Sequence, residues 1–221
     1  MKNYDTVIFD LDGTLTDPGE GITRSVEYAL NKFGISVADR RELYRFIGPP
    51  LVDSFTRFYN FSPEDAGRAV DYYRERYSVV GLFENTPYPD IEKVLLSLKT
   101  AGKRLFIATL KPTAFSVRIT EHFGLSKYFE LIAGAVMDNH TVETKADIIR
   151  KISAECGADL SRAIMIGDRH HDMEGAAECG IDAIGVLWGY GDEEELLRTG
   201  ATYIAKKPMD IVDIIEKATS N

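Results

Sequence analysis

Val7-Ile8-Phe9-Asp10-Leu11-Asp12-Gly13-Thr14-Leu15 is the stretch that decides the fold of this chain. Three apolar residues run directly into an Asp, a second Asp stands two places on, and Gly-Thr follows. A short, continuously apolar run reads as a buried strand of a parallel sheet. Ligands of open α/β sheets bind beyond the carboxyl ends of such strands. Asp10 is therefore expected at that edge, with Asp12 near enough to act on the same small molecule. Gly13 permits a tight bend and a close approach of backbone to ligand. Neighbouring carboxylates push each other's proton affinities apart, so one can stay ionised as nucleophile or metal ligand while the other carries a proton. That division suits acyl or phosphoryl transfer through a covalent carboxylate intermediate. An isolated D-x-D is more often a solvated acidic turn, so the weight falls on what lies downstream.

Residues 16–21 are turn-rich, and from 22 to about 78 the spacing predicts helices and no strand. Ile22, Val26, Ala29, Leu30 and Phe33 share one face. A short helix over 43–47 stops at Gly48-Pro49-Pro50, and the pattern resumes through Val52, Phe55, Phe58 and Tyr59. Ser62-Pro63-Glu64-Asp65 opens a further helix, with Pro at the first helical position and acids in the first turn. Beyond a second turn-rich stretch at 81–89, strands at 104–109, 131–136, 163–167, 183–187 and 203–204 alternate with helices at 91–100, 114–123, 145–156, 173–179, 193–198 and 209–218. Repeated β-α units imply a parallel sheet with right-handed crossovers. The expected architecture is α/β: a doubly wound parallel-sheet core built from 1–16 and 83–221, with a four-helix domain inserted at 17–82. An insert placed there is expected to cover the catalytic edge as a lid.

With 221 residues, 44% of them hydrophobic and 28% charged, the composition is that of an ordinary globular protein. The net charge of −9 argues against a nucleic-acid polymer as partner, yet local lysines and a bound cation can hold a small phosphorylated substrate. Cys156 and Cys179 make neither a disulfide framework nor a C-x-x-C pair. With no apolar leader evident and no run of membrane-spanning length, the expectation is a cytoplasmic protein without membrane partners, monomeric or weakly dimeric.

Three later pieces bear on the first. The strand 106–109 ends in Thr109, whose hydroxyl can bond a phosphoryl oxygen. Lys145 opens a helix, where the dipole disfavours a cation unless an anion faces it. Ile164-Met165-Ile166-Gly167-Asp168 repeats the device of the first stretch, and Asp172 follows four residues later. Together with Asp10-Leu11-Asp12-Gly13-Thr14, in this order, they resemble the motif set of the haloacid dehalogenase (HAD) superfamily of aspartate-nucleophile phosphohydrolases, over essentially the whole chain. Leu110 after Thr109 departs from the hydroxyl more usual there, and no Pro follows Lys145.

The resemblance implies a HAD Rossmann-like core with a helical cap and hydrolysis of a phosphate monoester. Asp10 is the implied nucleophile, Asp12 the acid and base, and Lys145 the cation that holds nucleophile and phosphoryl group. Mg2+ is implied on Asp10, Asp168 and the main-chain carbonyl of Asp12, oxygen donors of the kind it prefers. Asp172 is expected to hold Asp168, or a water beside the cation. Thr109 and the N–H groups near Leu11, Gly13 and Leu110 are expected to support transition-state charge, and Lys111 to touch substrate. A departing halide needs no proton, so Asp12 favours phosphoryl transfer over dehalogenation. His170 and His171 are read as surface or supporting residues; with no third His or Cys nearby, zinc is not expected.

Arg45-Phe46-Ile47-Gly48-Pro49-Pro50-Leu51 and Gly167-Asp168-Arg169-His170-His171-Asp172 look most like the 5′-nucleotidase-like and phosphoglycolate-phosphatase-like branch. Gly48 could begin a specificity loop, Arg45 or Arg24 could pair with a substrate carboxylate, and a ring could stack on a nucleobase. The insert holds 11 of the 22 Phe and Tyr residues. The alternatives are a phosphosugar mutase of the same superfamily and a catalytically silent domain that binds a phosphometabolite or a protein.

Overall fold

The computed structural model describes residues 2–137 and 143–220, the side chains of 219 and 220 excepted. The chain divides into two compact units, one of Met1–Thr16, Pro87–Met137 and Val142–Asn221, the other of Asp17–Thr86.

In chain order the elements are β1 (Thr6–Phe9), β2 (Thr16–Asp17), α1 (Gly19–Lys32), a 3-10 helix at Arg40–Phe46, α2 (Leu51–Tyr59), α3 (Pro63–Arg76), a π-helical turn at Tyr77–Gly81, β3 (Thr86–Pro87), α4 (Ile91–Thr100), β4 (Arg104–Pro112), α5 (Thr113–His122), β5 (Leu131–Ala135), α6 (Lys145–Cys156), β6 (Ala163–Gly167), α7 (His170–Glu178), β7 (Asp182–Val186), α8 (Glu193–Arg198), β8 (Tyr203–Ala205) and α9 (Asp210–Ser220). Six of the strands form a parallel sheet in the order β5-β4-β1-β6-β7-β8. This is the α/β Rossmann-like arrangement that the alternating pattern predicts.

β1 lies at the centre because it is apolar on both faces: Val7, Ile8 and Phe9 are fully buried. It pairs with β4 and β6 in matched register, Phe9 opposite Ile107 and Ile166. The carboxyl ends of the three strands therefore finish at one level, and Asp10, Thr109 and Asp168 come to the same edge. Ile8, Phe106 and Met165 pack with Ile148, Ile149 and Ile152 of α6 and Met173 of α7 in one buried cluster. Burying such side chains contributes about 1.5–3 kcal/mol each, and it anchors the two helices that carry Lys145 and Asp172.

Helices α4, α5, α6, α8 and α9 fall within a residue or two of expectation, whereas the 3-10 helix and α7 each begin three residues earlier than expected, at Arg40 and His170. Thr144 caps α6 by accepting from Asp147 N while the Asp147 carboxylate accepts from Thr144 N. β4 departs likewise: it continues three residues past Thr109, with its pairing to β5 slipping between Thr109 and Pro112.

The helical unit is built from α1, α2, α3, the 3-10 helix and the π turn. Val26, Ala29, Leu30, Leu43, Phe46, Phe55, Ala69 and Val70 form its buried interior. Most of its aromatic enrichment serves packing: Phe46 meets Phe55 at 5.1 Å, Phe33 meets Phe61 at 4.7 Å and Tyr73 stacks on Tyr77 at 4.9 Å. The unit runs from Asp17 to Thr86, and within it Arg76 holds Glu84 through two hydrogen bonds of 2.7 and 2.8 Å. None of the helices is long and apolar enough to cross a membrane, among the described residues.

Candidate active site

At the carboxyl edge of β1, Asp10 N–H still donates to Ile166 O of β6, so the residue leaves the strand only after its last ladder bond. The chain then folds back in a tight turn: Leu15 and Thr16 N–H donate to Leu11 O, and Gly13 N–H donates to Thr16 O at 2.8 Å. Gly13 takes φ +80°, a left-handed conformation that only Gly adopts freely, and a Cβ there would land on the Asp168 carboxylate.

The Lys145 ammonium is the hub. It is almost fully buried and donates to Ala108 O at 2.9 Å, with Asp10 Oδ1 at 2.9 Å and Asp172 Oδ1 at 2.8 Å. The Asp172 contact is an ion pair rather than an aligned hydrogen bond. One carbonyl and two carboxylate oxygens thus surround the ammonium within 2.9 Å. Burial alone would lower its proton affinity, but the Asp10 and Asp172 carboxylates outweigh that and hold it raised, so it is a fixed cation.

Asp168 is buried; Thr14 Oγ1 donates to its Oδ1 at 3.3 Å and Tyr190 N to its Oδ2 at 2.8 Å. Asp172, also buried, accepts from Arg169 N at 3.1 Å. Oxygens of Asp10, Asp168 and Asp172 lie within 4.8 Å of one another. Burial and then mutual repulsion push Asp168 well above the usual carboxylate range, and burial lifts Asp172 to about 6. Three acids crowded out of water beside a single ammonium call for another cation, and an all-oxygen donor set fits a hard divalent ion.

Asp12 stands beside this group on its own partner. Lys111 Nζ reaches its two oxygens at 2.8 and 2.6 Å, with both side chains largely buried. Burial raises the proton affinity of Asp12, the Lys111 cation draws it down, and Asp10 raises it again; the balance is upward. Lys111 arrives there because β4 bulges after Thr109, an irregularity that re-aims a side chain. Thr109 is buried, and its hydroxyl accepts from Lys111 N at 3.2 Å.

Asp10, Asp12, Thr109, Lys111, Lys145, Asp168 and Asp172 thus gather at one sheet edge. Two of the expected backbone donors are engaged locally: Leu11 N–H donates to Asp10 Oδ1 at 2.8 Å, and Gly13 N–H serves the turn. Leu110 is half-buried on the bulge. Arg45 and Gly48 belong to the helical unit, where the Arg45 guanidinium lies 4.4 Å from the centre of the Phe58 ring.

The loop after β7 is a part of the site that the sequence pattern did not single out. Trp188 Nε1 donates to Thr14 O at 3.0 Å, Tyr190 N holds Asp168, and a Cβ on Gly189 would collide with Asp168 and Gly13. The signal available was Trp188-Gly189-Tyr190-Gly191, two glycines around an aromatic just past a strand end.

Residues 7–186 match a family model described as haloacid dehalogenase-like hydrolase. A 5′-nucleotidase from Pseudomonas aeruginosa is 44% identical over 193 residues, 87% of this chain and 87% of that protein. The tyrosine-protein kinase PtkA of Mycobacterium tuberculosis is 39% identical over 198 residues, 90% of this chain and 67% of that protein. The crystal structure of a predicted phosphatase from Clostridium acetobutylicum superposes with a TM-score of 0.92 at 46% identity, covering 100% of both chains.

Proposed function

This chain belongs to the haloacid dehalogenase-like hydrolase family and is a phosphatase of it, and from that premise we propose that it hydrolyses small phosphate monoesters through an aspartyl-phosphate on Asp10. The observation that carries the reading is the buried Lys145 ammonium bridging Asp10 and Asp172, with Asp168 grouped with the two acids.

Asp10, Asp168 and the Asp12 main-chain carbonyl, with Asp172 beside them, would hold Mg2+, which when bound would supply positive charge to the phosphoryl oxygens. Lys145 orients Asp10 and shields its charge from an anionic substrate. An Asp10 oxygen forms the new bond to phosphorus as the ester P–O bond breaks, and Asp12 gives its proton to the departing alkoxide. Asp12 then takes a proton from the water that attacks the aspartyl-phosphate, releasing phosphate and restoring Asp10. A raised proton affinity suits a carboxyl asked to donate first and accept second. Substrate entry requires Lys111 to release or share Asp12, which makes Lys111 a phosphate contact in this account. Thr109 supports transition-state charge.

For the substrate we favour a nucleoside 5′-monophosphate over a phosphoglycolate-like acid. Likeness to the Pseudomonas aeruginosa 5′-nucleotidase supports this. Selection among monoesters is assigned to the helical unit, with Arg45 and the Gly48 turn as candidate contacts. The test ranks kcat/KM over nucleoside monophosphates, phosphoglycolate, sugar phosphates and pyrophosphate, with and without Mg2+ and in Asp10→Asn. Phosphate release that needs Mg2+ and Asp10 supports hydrolysis. Transfer from a nucleotide to a tyrosine peptide, without free phosphate, would replace it with a kinase. Flat activity across the nucleotides would remove the nucleotidase assignment and leave the phosphatase standing.

A further inference from the structure

We propose that His170, His171 and Glu174, on the first turn and a half of α7, form a second metal site that takes a zinc-class divalent ion, independent of the acidic group at Asp10. A nitrogen of each histidine and a carboxylate oxygen of Glu174 lie within 4.8 Å of one another. Helical geometry explains the grouping: residues three and four apart share a face, so Glu174 stands above both rings. The rings are themselves close, with centroids 3.8 Å apart. No third His or Cys lies near the pair in the sequence, but the helix supplies the third donor as a carboxylate. Two imidazoles and a carboxylate suit zinc and its first-row neighbours, whereas magnesium prefers oxygen alone.

Two further observations single out this cluster. His170 Nδ1 lies 2.9 Å from Glu195 Oε1, and Glu195 also accepts from His170 N at 2.8 Å and Arg169 Nε at 3.0 Å. A carboxylate accepts at Nδ1, which leaves Nε2 as the ring nitrogen that can face a ligand. A carboxylate behind a histidine in this way is the arrangement that fixes metal-binding imidazoles. Second, His171 Nε2 is buried with no hydrogen-bond partner among the described residues, a condition that calls for a bound water or ion.

The test uses the full chain, stripped of metal and then saturated with Mg2+ so that the acidic group is filled. Zn2+ is titrated by calorimetry, and Co2+ by its visible d–d absorption. One equivalent should bind in the presence of excess Mg2+, with Co2+ showing a nitrogen-ligated, low-coordinate spectrum. Glu174→Ala, an exposed position whose change does not threaten the fold, should weaken binding at least about 10-fold, and Glu195→Gln about 10- to 100-fold. His171→Ala should abolish the spectrum while circular dichroism stays unchanged. No Zn2+ uptake above Mg2+, or uptake that Glu174→Ala and His171→Ala leave unaltered, overturns the proposal. Neither outcome bears on hydrolysis at Asp10, so the two readings fail separately.

Discussion

Lys145 Nζ stands 2.9 Å from Asp10 Oδ1, although 135 positions separate the two residues along the chain. The pairing exists because β1 is central and α6 packs on its Ile8 face, which brings the helix start to the strand end. The contact is also charge-balanced: a helix N-terminus disfavours a cation, and two carboxylates reverse that preference.

Replacement of Lys145 by Met keeps much of the volume and removes the charge. Loss of one preorganised charged donor is expected to cost about 10²- to 10³-fold in kcat. Steady-state kinetics on p-nitrophenyl phosphate measure it. A rise in KM alone, with kcat intact, would mean that Lys145 only binds substrate.

Lys111→Ala leaves the Asp12 carboxyl buried without its counter-charge. The expected stability loss is about 1–3 kcal/mol by denaturant melts. The expected fall in kcat/KM is about 10- to 100-fold, part of what a positioned acid and base contributes. If both stay at wild-type values, the short Lys111–Asp12 contact has no role in holding the acid.

Much of this site was legible in the sequence. An apolar run ending in Asp occurs twice, at Asp10 and at Asp168, and a strand that ends in an acid can be read without knowing its neighbours. Lys145 was visible as a cation at the wrong end of a helix. The Lys111–Asp12 pair was not, because it depends on a bulge in β4 that only the slipped pairing with β5 produces. The loop 187–191 was hidden for a related reason: Gly189 matters through its closeness to Asp168, a tertiary fact with no local pattern. Likewise the aromatic excess of the insert does not by itself separate packing from recognition. Phe46, Phe55 and Tyr77 are fully buried, so those rings belong to the helical core.

Gly189→Ala tests the hidden loop. A methyl group there meets the Asp168 side chain and Gly13 O and must displace one of them. Displacement of a site carboxylate by about 1 Å is expected to lower kcat/KM about 100-fold, with an overpacking cost of about 1–3 kcal/mol in stability. Wild-type kinetics in this variant would show that the loop carries no constraint on Asp168.

At the opposite end of the strands, Asp182 binds Lys2 Nζ at 2.6–2.7 Å and the Tyr4 hydroxyl at 2.5 Å. Burial would raise its pKa, but Lys2 and then Tyr4 hold it below the usual range. Its folded pKa lies under the unfolded value, so the stabilisation is complete above about pH 4 and is lost as pH falls through the folded pKa. Asp182→Asn should cost about 1–2 kcal/mol at pH 7, discounted because Lys2 is solvent-exposed. The gap between variant and wild type should close as pH falls below the folded pKa of Asp182. A gap that persists in acid would assign the loss to packing instead of charge.

The central claim is that phosphorus passes through Asp10, and acid-quenched turnover read by peptide mass spectrometry tests it most directly. The account predicts one phosphoryl group on the peptide carrying Asp10, labile to hydroxylamine and absent in Asp10→Asn. A phosphoryl group on another residue, or steady hydrolysis by Asp10→Asn, would contradict it.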